Sequence, residues 1–166
     1  MFTIDIDPSE SLESSYLQLN AQLAALLSGE RDLICNAAQL SAFVMQTLPD
    51  LNWSGFYFAR GEELVLGPYV GHVACTRISF DRGVCGKAAT SLQVQRVDDV
   101  HGFEGHIACD AASASELVIP VVVNSKLIGV FDIDSPIVTR FTDVDLAGLR
   151  SFVATFVAAT DMTWSL

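Results

Sequence analysis

Two apolar runs separated by a two-residue polar turn constrain the fold of this chain more than any other part of its sequence. The runs are ELVIPVVV at 116–123 and KLIGVFDID at 126–134, and they are joined by Asn124 and Ser125. Runs rich in Val and Ile on either side of so short a turn are typical of an antiparallel β-hairpin. The sequence therefore predicts a β-sheet that contains this hairpin.

Helical periodicity dominates the first third of the chain. Asp7 and Pro8 predict a helix start, as N-cap and first helical residue, and apolar side chains then recur in steps of three and four. A second helix is predicted from about Asp32 and should end before Pro49, because the residue ahead of a proline disfavours the helical conformation. Two paired helices are expected within residues 8–48.

The remaining elements predict an α+β fold class. Strands, loops, a short helix near 83–91 and the hairpin occupy 51–134, and a closing helix is predicted over 142–160 with Thr142 and Asp145 as a capping box. Helices from both chain ends can pack on one face of a largely antiparallel sheet, which leaves the middle loops for the other face. Residues 1–166 are expected to form a single domain, because this length fits one core.

Charge and hydropathy exclude several classes of protein. The net charge of −11, with nine Lys and Arg in total, excludes a nucleic-acid partner, because such binding depends on basic side chains that neutralise phosphates. The chain has neither a signal-peptide pattern at its start nor an apolar run long enough to span a bilayer. We therefore expect a cytoplasmic protein with no membrane partner.

Four cysteines need individual interpretation in a reducing compartment. Cys35 falls in the second predicted helix and is interpreted as a small buried hydrophobic residue. The other three cysteines fall in a glycine-rich, irregular region: Cys75, Cys85 and Cys109. Each of them could be a metal ligand, a redox nucleophile or part of the core. The spacing lacks the close C-x₂₋₄-C pair of a structural zinc site, so no metal is expected, and ordered loops favour chemistry over core packing.

Three carboxylates should converge at one end of the hairpin. Glu116 opens its first strand, and Asp132 and Asp134 close the second. The start of one antiparallel strand lies beside the end of its partner, and residues two apart share a face. Such a cluster suits a cationic ligand or proton donation, because mutual repulsion raises the pKa of one carboxyl group. Acidic residues at solvated strand ends would give the same sequence pattern without any such function.

Several motifs resemble those of the free methionine-(R)-sulfoxide reductases, a family built on the GAF domain. They are NWSGFYF, LGPYVGHVACTRI, GVCGKAA, RVDDVHGFEGHIACDAASASELVIPV and GVFDIDSP, and they cover about half of the chain. The resemblance implies a single GAF domain that reduces free methionine-(R)-sulfoxide to methionine.

The resemblance also implies roles for the cysteines. Cys109 matches the catalytic cysteine, which attacks the sulfoxide sulfur and becomes a sulfenic acid. Cys75 matches the principal resolving cysteine, which forms a disulfide with it, and Cys85 matches a third cysteine, interpreted as an alternate resolver. Thioredoxin would reduce the disulfide, and no bound cofactor is implied.

The same resemblance places three carboxylates around the ligand, Glu116, Asp132 and Asp134. It also implies that Trp53 and Tyr57 form walls of the pocket. The two aromatic residues are four apart, an even separation that puts them on one face of a strand. Core packing would explain Tyr57 nearly as well. Homodimers are common in the family, and the apolar amino-terminal helices would supply such an interface.

A second function stays open at the level of the sequence. GAF domains in many proteins are regulatory modules, so a non-catalytic sensor that binds a small ligand is the alternative to a reductase.

Overall fold

Four α-helices and six β-strands make up the part of the chain that the computed structural model describes, residues 2–103 and 112–162. In chain order they are α1 Leu12–Leu26, α2 Leu33–Thr47, β1 Trp53–Arg60, β2 Glu63–Gly71, β3 Arg77–Ser79, α3 Gly83–Ser91, β4 Gln95–Val97, β5 Ser115–Val123, β6 Lys126–Ser135 and α4 Asp143–Ala159. This α+β order and the antiparallel pairing of the strands confirm the predicted fold class. No helix within the described residues is long and apolar enough to cross a membrane.

One sheet with the strand order β3-β2-β1-β6-β5-β4 forms the centre of the fold. The predicted hairpin is confirmed as β5 and β6, and its turn residues Asn124 and Ser125 have φ angles of 50° and 62°. Positive φ at both central residues is typical of the turn whose twist matches that of the flanking strands. Strand β6 pairs with β5 along one edge and with β1 along the other, so it lies in the middle of the sheet.

The helices from both chain ends cover one face of this sheet, as predicted. Phe56, Phe131 and Ile133 point from the sheet into a core with Leu40 and Phe152 of the helices, and all five side chains are buried. Strand alternation sends the neighbouring residues to the opposite face, where α3 packs on β5 and β6. The sheet thus has the helical core on one face, and the alternate residues of its strands point to the opposite face, under α3.

The start of α1 differs from the prediction. Asp7 does not cap the helix; its carboxylate accepts hydrogen bonds from the backbone N–H and the hydroxyl of Ser9, at 2.8 Å and 2.6 Å. This local turn satisfies Asp7 before the helix begins, and Ser11 is the N-cap instead, accepting from the N–H of Ser14 at 3.2 Å. The prediction of a helix from residue 8 was therefore wrong by about one turn.

Cys35 is exposed, so its predicted burial was wrong. The buried side of α2 is formed by Leu33, Ala37, Leu40 and Val44. Cys35 lies two residues after Leu33, which rotates it by about 200° around the helix axis and turns it toward solvent. The capping box of α4, by contrast, is confirmed: the Asp145 N–H donates to Thr142 Oγ1 at 3.2 Å, and the Thr142 N–H donates to the Asp145 carboxylate at 2.8 Å.

Gly148 sets the distance between α1 and α4, because a Cβ atom there would overlap the ring of Tyr16. That ring is buried, and its hydroxyl donates to Asp145 at 2.8 Å. We expect Gly148→Ala to lower the free energy of unfolding by about 1–3 kcal/mol, because the tyrosine must move away. Urea denaturation followed by fluorescence would measure the change.

Gly102→Ala is the matched control, because no atom of the described residues lies within 4 Å of its Cβ position. Equal stability of the Gly148→Ala variant and the control would contradict the proposed contact between the two helices.

Candidate functional site

The face of the sheet opposite the helical core carries the predicted carboxylates. Glu116 on β5 lies directly across from Asp134 on β6, and Val118 lies across from Asp132. Strand β6 stays regular to its end, so Asp132 and Asp134 share this face. Glu116 and Asp132 are only 7% and 6% exposed, whereas Asp134 is half-buried. The hairpin therefore brings the three groups together and buries two of them.

Helix α3 closes over these carboxyl groups and adds a thiol. The Cys85 side chain is buried, and its sulfur donates to Glu116 Oε1 at 3.9 Å. Donor atoms of Cys85, Glu116 and Asp132 all lie within 4.8 Å of one another. The helix approaches closely because Gly86 has no side chain: a Cβ there would lie 2.5 Å from the carbonyl oxygen of Ser79.

Burial raises the pKa of all three groups. It is the main cause for Glu116, whose pKa lies well above its usual range, and repulsion by Asp132 adds to the effect. Burial also raises the pKa of Asp132 to about 7, although hydrogen bonds with Cys85 and Glu116 oppose the shift. The pKa of the Cys85 thiol is raised by burial and then by the negative charge of Asp132. The Glu116–Asp132 pair therefore tends to keep a proton near neutral pH, where ordinary carboxyl groups have lost theirs.

The donor atoms of this cluster are of types that bind divalent metal ions, but their protonation opposes such binding. Thiol and carboxylate groups bind metal ions only after they lose their protons, and all three pKa values are raised. The prediction that no metal is bound stays a prediction.

Stacked aromatic rings line the site on the side of β1. Trp53 stacks on Tyr57 at 5.8 Å between ring centroids and on Tyr69 of β2 at 5.3 Å. Trp53 and Tyr57 are 2% and 1% exposed, as expected for either pocket walls or core. Among the described residues, the Trp53 indole N–H and Asp132 Oδ1 have no hydrogen-bond partner. Buried polar atoms left in this way are suited to binding a polar ligand.

Two glycines make room for this stack, and neither was predicted as part of the site. Gly55 lies opposite Asp132 on the paired strands, and a Cβ there would lie 2.7 Å from Trp53 Cη2 and overlap Tyr69. At Gly71 a Cβ would lie 2.5 Å from Trp53 Cδ1, and its φ of 147° disfavours other residues. An isolated glycine inside a strand pattern is the signal that would have indicated Gly55.

Cys75 lies at the edge of the same cluster of side chains, between β2 and β3. It is disulfide-bonded, whereas Cys35 and Cys85 are free thiols. The Tyr57 hydroxyl donates to the carbonyl oxygen of Cys75 at 3.1 Å, which attaches this backbone to the aromatic wall. The prediction for Cys109 falls within 104–111 and lies outside the described residues.

The raised pKa of Asp132 predicts a dependence of stability on pH. Asp132 is protonated in the folded protein up to about pH 7 but ionises near its ordinary pKa of 3.8 when unfolded. The folded state therefore binds more protons between these values, and the contribution of Asp132 to the free energy of unfolding falls as the pH rises through this window. We expect Asp132→Asn to be more stable than the unsubstituted protein at pH 8, by on the order of 1 kcal/mol per unit of pKa shift.

Urea denaturation of both proteins at intervals from pH 4 to pH 8 would test this expectation, with the difference in stability shrinking toward pH 4. Asp98→Asn, at an exposed carboxylate, controls for the loss of one negative charge. A constant difference at every pH would contradict the assignment of a raised pKa to Asp132.

Comparisons with known proteins agree with this fold. A family model described as the GAF domain matches residues 36–161. The free methionine-R-sulfoxide reductase of Escherichia coli is 52% identical over 139 residues, which are 84% of each chain. The crystal structure of a free methionine-R-sulfoxide reductase from Neisseria meningitidis, in complex with its substrate, superposes with a TM-score of 0.90 at 32% identity, covering 96% of this chain and 95% of that one. The reduced form of fRMsr from Staphylococcus aureus has a TM-score of 0.85 at 41% identity, covering 95% and 99%.

Proposed function

This chain belongs to the free methionine-(R)-sulfoxide reductase family and is a single GAF domain, and on that premise we propose that it reduces free methionine-(R)-sulfoxide to methionine. The observation that carries the proposal is the buried carboxyl pair Glu116 and Asp132, which lies beside the stacked rings of Trp53 and Tyr57. A polar, proton-holding group next to an aromatic wall suits a substrate with one charged end and one methyl sulfoxide end.

The carboxyl groups explain a preference for the free amino acid. An ammonium group next to an ionised carboxylate forms a strong, charge-assisted hydrogen bond, and it relieves the repulsion among Glu116, Asp132 and Asp134. A methionine sulfoxide within a peptide has no free ammonium group at this position. The pocket should therefore discriminate against peptide-bound substrate.

The same pair can supply the proton that the reaction needs. The sulfoxide oxygen leaves sulfur more readily once it is protonated, and a carboxyl group with a pKa of about 7 holds its proton at neutral pH while still being able to release it. We assign general-acid catalysis to the Glu116–Asp132 pair. The negative charge of Asp134 nearby further favours a proton on Glu116. Trp53 and Tyr57 would receive the methyl group attached to sulfur.

We assign the redox steps to Cys109 and Cys75. The Cys109 thiolate attacks the sulfoxide sulfur, the oxygen passes to Cys109 as a sulfenic acid, and methionine is released. The Cys75 thiol then displaces that oxygen as water and forms a disulfide. The disulfide-bonded state of Cys75 and its contact with Tyr57 support a redox role for this cysteine. Thioredoxin would supply two electrons and two protons to restore both thiols.

We also propose a homodimeric assembly and a cytoplasmic location for the enzyme. Leu12, Leu17 and Ile34 are 44%, 75% and 40% exposed on the amino-terminal helices, which supports a homodimer through that surface. A thioredoxin-dependent cycle suits the reducing cytoplasm.

Thioredoxin-coupled oxidation of NADPH tests the activity directly. We expect turnover with free methionine-(R)-sulfoxide, no turnover with the S epimer, and a large loss with the N-acetylated R form, because acetylation removes the ammonium charge. Equal rates with both epimers would contradict the proposal. Binding of a nucleotide without consumption of sulfoxide would instead favour a sensor.

Cysteine variants test the assigned redox steps. We expect Cys109→Ser to abolish turnover, and Cys75→Ser to release one methionine per chain and then stop with a sulfenic acid that dimedone traps. Cys35→Ser is the matched control, because Cys35 is exposed on α2 and outside the site. Full turnover in Cys109→Ser would contradict the assignment of the nucleophile.

Substitution of the carboxyl pair tests the acid. We expect Asp132→Asn to reduce kcat/KM by about 100-fold or more, because a positioned general acid typically contributes this much. Asp98→Asn, at an exposed carboxylate, should retain activity. A loss confined to KM would show that Asp132 only binds the substrate.

A further inference from the structure

Cys85 is a buried thiol that the redox steps assigned to Cys109 and Cys75 do not use. It is a free thiol, only 4% exposed, and its sulfur lies 3.9 Å from Glu116 Oε1. The resemblance to known reductases suggested a second resolving cysteine at this position. The contacts of Cys85 indicate a different role.

Helix α3 is packed and hydrogen-bonded along the segment that carries Cys85. Gly86, the next residue, packs directly on the backbone of Ser79, and its N–H donates to the Arg82 carbonyl oxygen at 3.1 Å. The Thr90 hydroxyl donates to the Gly86 carbonyl oxygen at 3.0 Å. These contacts hold the backbone of α3 along the segment that carries the thiol, and they keep the Cys85 sulfur beside the carboxyl pair.

The groups that face Cys85 oppose its ionisation. Among the described residues these groups come from three strands and are all acidic or neutral: Tyr57 on β1, Glu116 on β5, and Asp132 and Asp134 on β6. The basic residues of the adjoining short strands pair elsewhere, Arg77 with Glu63 and Arg96 with Asp143. On α3 itself, Lys87 lies over the ring of Phe103. A thiolate here would add a charge to a buried acidic cluster, so the sulfur keeps its proton.

We infer that the Cys85 thiol is a hydrogen-bond donor to the Glu116–Asp132 pair, and that it is a positioning residue rather than a resolving cysteine. The inference rests on the proposed reductase function. A donor beside the pair stabilises the ionised form of one carboxyl group, so that this group holds the substrate ammonium while the other keeps the proton for the sulfoxide oxygen.

The direction in which Cys85 shifts the two carboxyl pKa values depends on whether its thiol stabilises the protonated or the ionised form. Hydrogen bonding with Cys85 lowers the pKa of both Glu116 and Asp132 against the larger effect of burial. Removing the donor therefore raises both pKa values. Substrate binding by the carboxylate and proton donation by the acid should then both shift to higher pH.

The pH profiles of Cys85→Ala and Cys85→Ser test the inference against a resolving role. We expect the limbs of the kcat/KM profile for free methionine-(R)-sulfoxide to move upward in Cys85→Ala by about half a unit to one unit, the size of one net hydrogen bond. Cys85→Ser keeps an O–H donor and should restore the profile. Both variants should continue to turn over with thioredoxin.

Three outcomes would overturn the inference. They are an arrest of either variant after one methionine per chain, an unchanged profile in Cys85→Ala, or equal shifts in both variants. If Cys85→Ala fails to fold, Cys75→Ser still decides between a donor and a resolver, because a resolving Cys85 would carry that variant beyond one methionine per chain. Absence of sulfoxide reduction by the unsubstituted protein would refute the reductase function itself, which is a separate result.

Discussion

Two carboxyl groups buried side by side impose the constraint on which the rest of the site depends. Glu116 and Asp132 lie on adjacent strands, each less than a tenth exposed, and burial makes a full negative charge on both unfavourable. The pair must therefore hold a proton, gain a cation, or do both. A ligand with an ammonium group and a basic oxygen meets both needs, which links the electrostatic cost of burying the pair to the proposed chemistry.

The sheet makes this arrangement compatible with a stable core. Alternation along β1, β5 and β6 sends Phe56, Phe131 and Ile133 to the helices, and sends the acids and stacked rings to the other face. The helical core supplies the larger share of apolar burial, and a smaller buried cluster that includes Val118 and Val130 lies beside the acids on the other face. Helix α3 covers this second face and brings the Cys85 thiol against Glu116. The candidate site is thus confined to one face of strands whose other face packs against the helices.

The sequence predicted the parts of this structure that depend on local pattern. The hairpin around Asn124, the capping box of α4 and the shared face of Asp132 and Asp134 follow from turn chemistry and strand periodicity. Three-residue strands β3 and β4 escaped prediction because so short a segment has no period to detect. The contact of Cys85 with Glu116 is a tertiary one, since 31 residues separate them, and no local signal reports it. The approach of Gly55 to Trp53 and Tyr69 likewise depends on how neighbouring strands pair.

Gly55 also limits how this pocket can change during evolution. It lies on β1 opposite Asp132, where every other amino acid adds atoms against Trp53 and Tyr69. The strand has already reached the smallest side chain available, so no substitution at this position can enlarge the pocket. A relative that accepts a bulkier sulfoxide must therefore gain its space at other positions of the pocket. We expect glycine to stay constant at this position of β1, whatever sulfoxide a relative accepts.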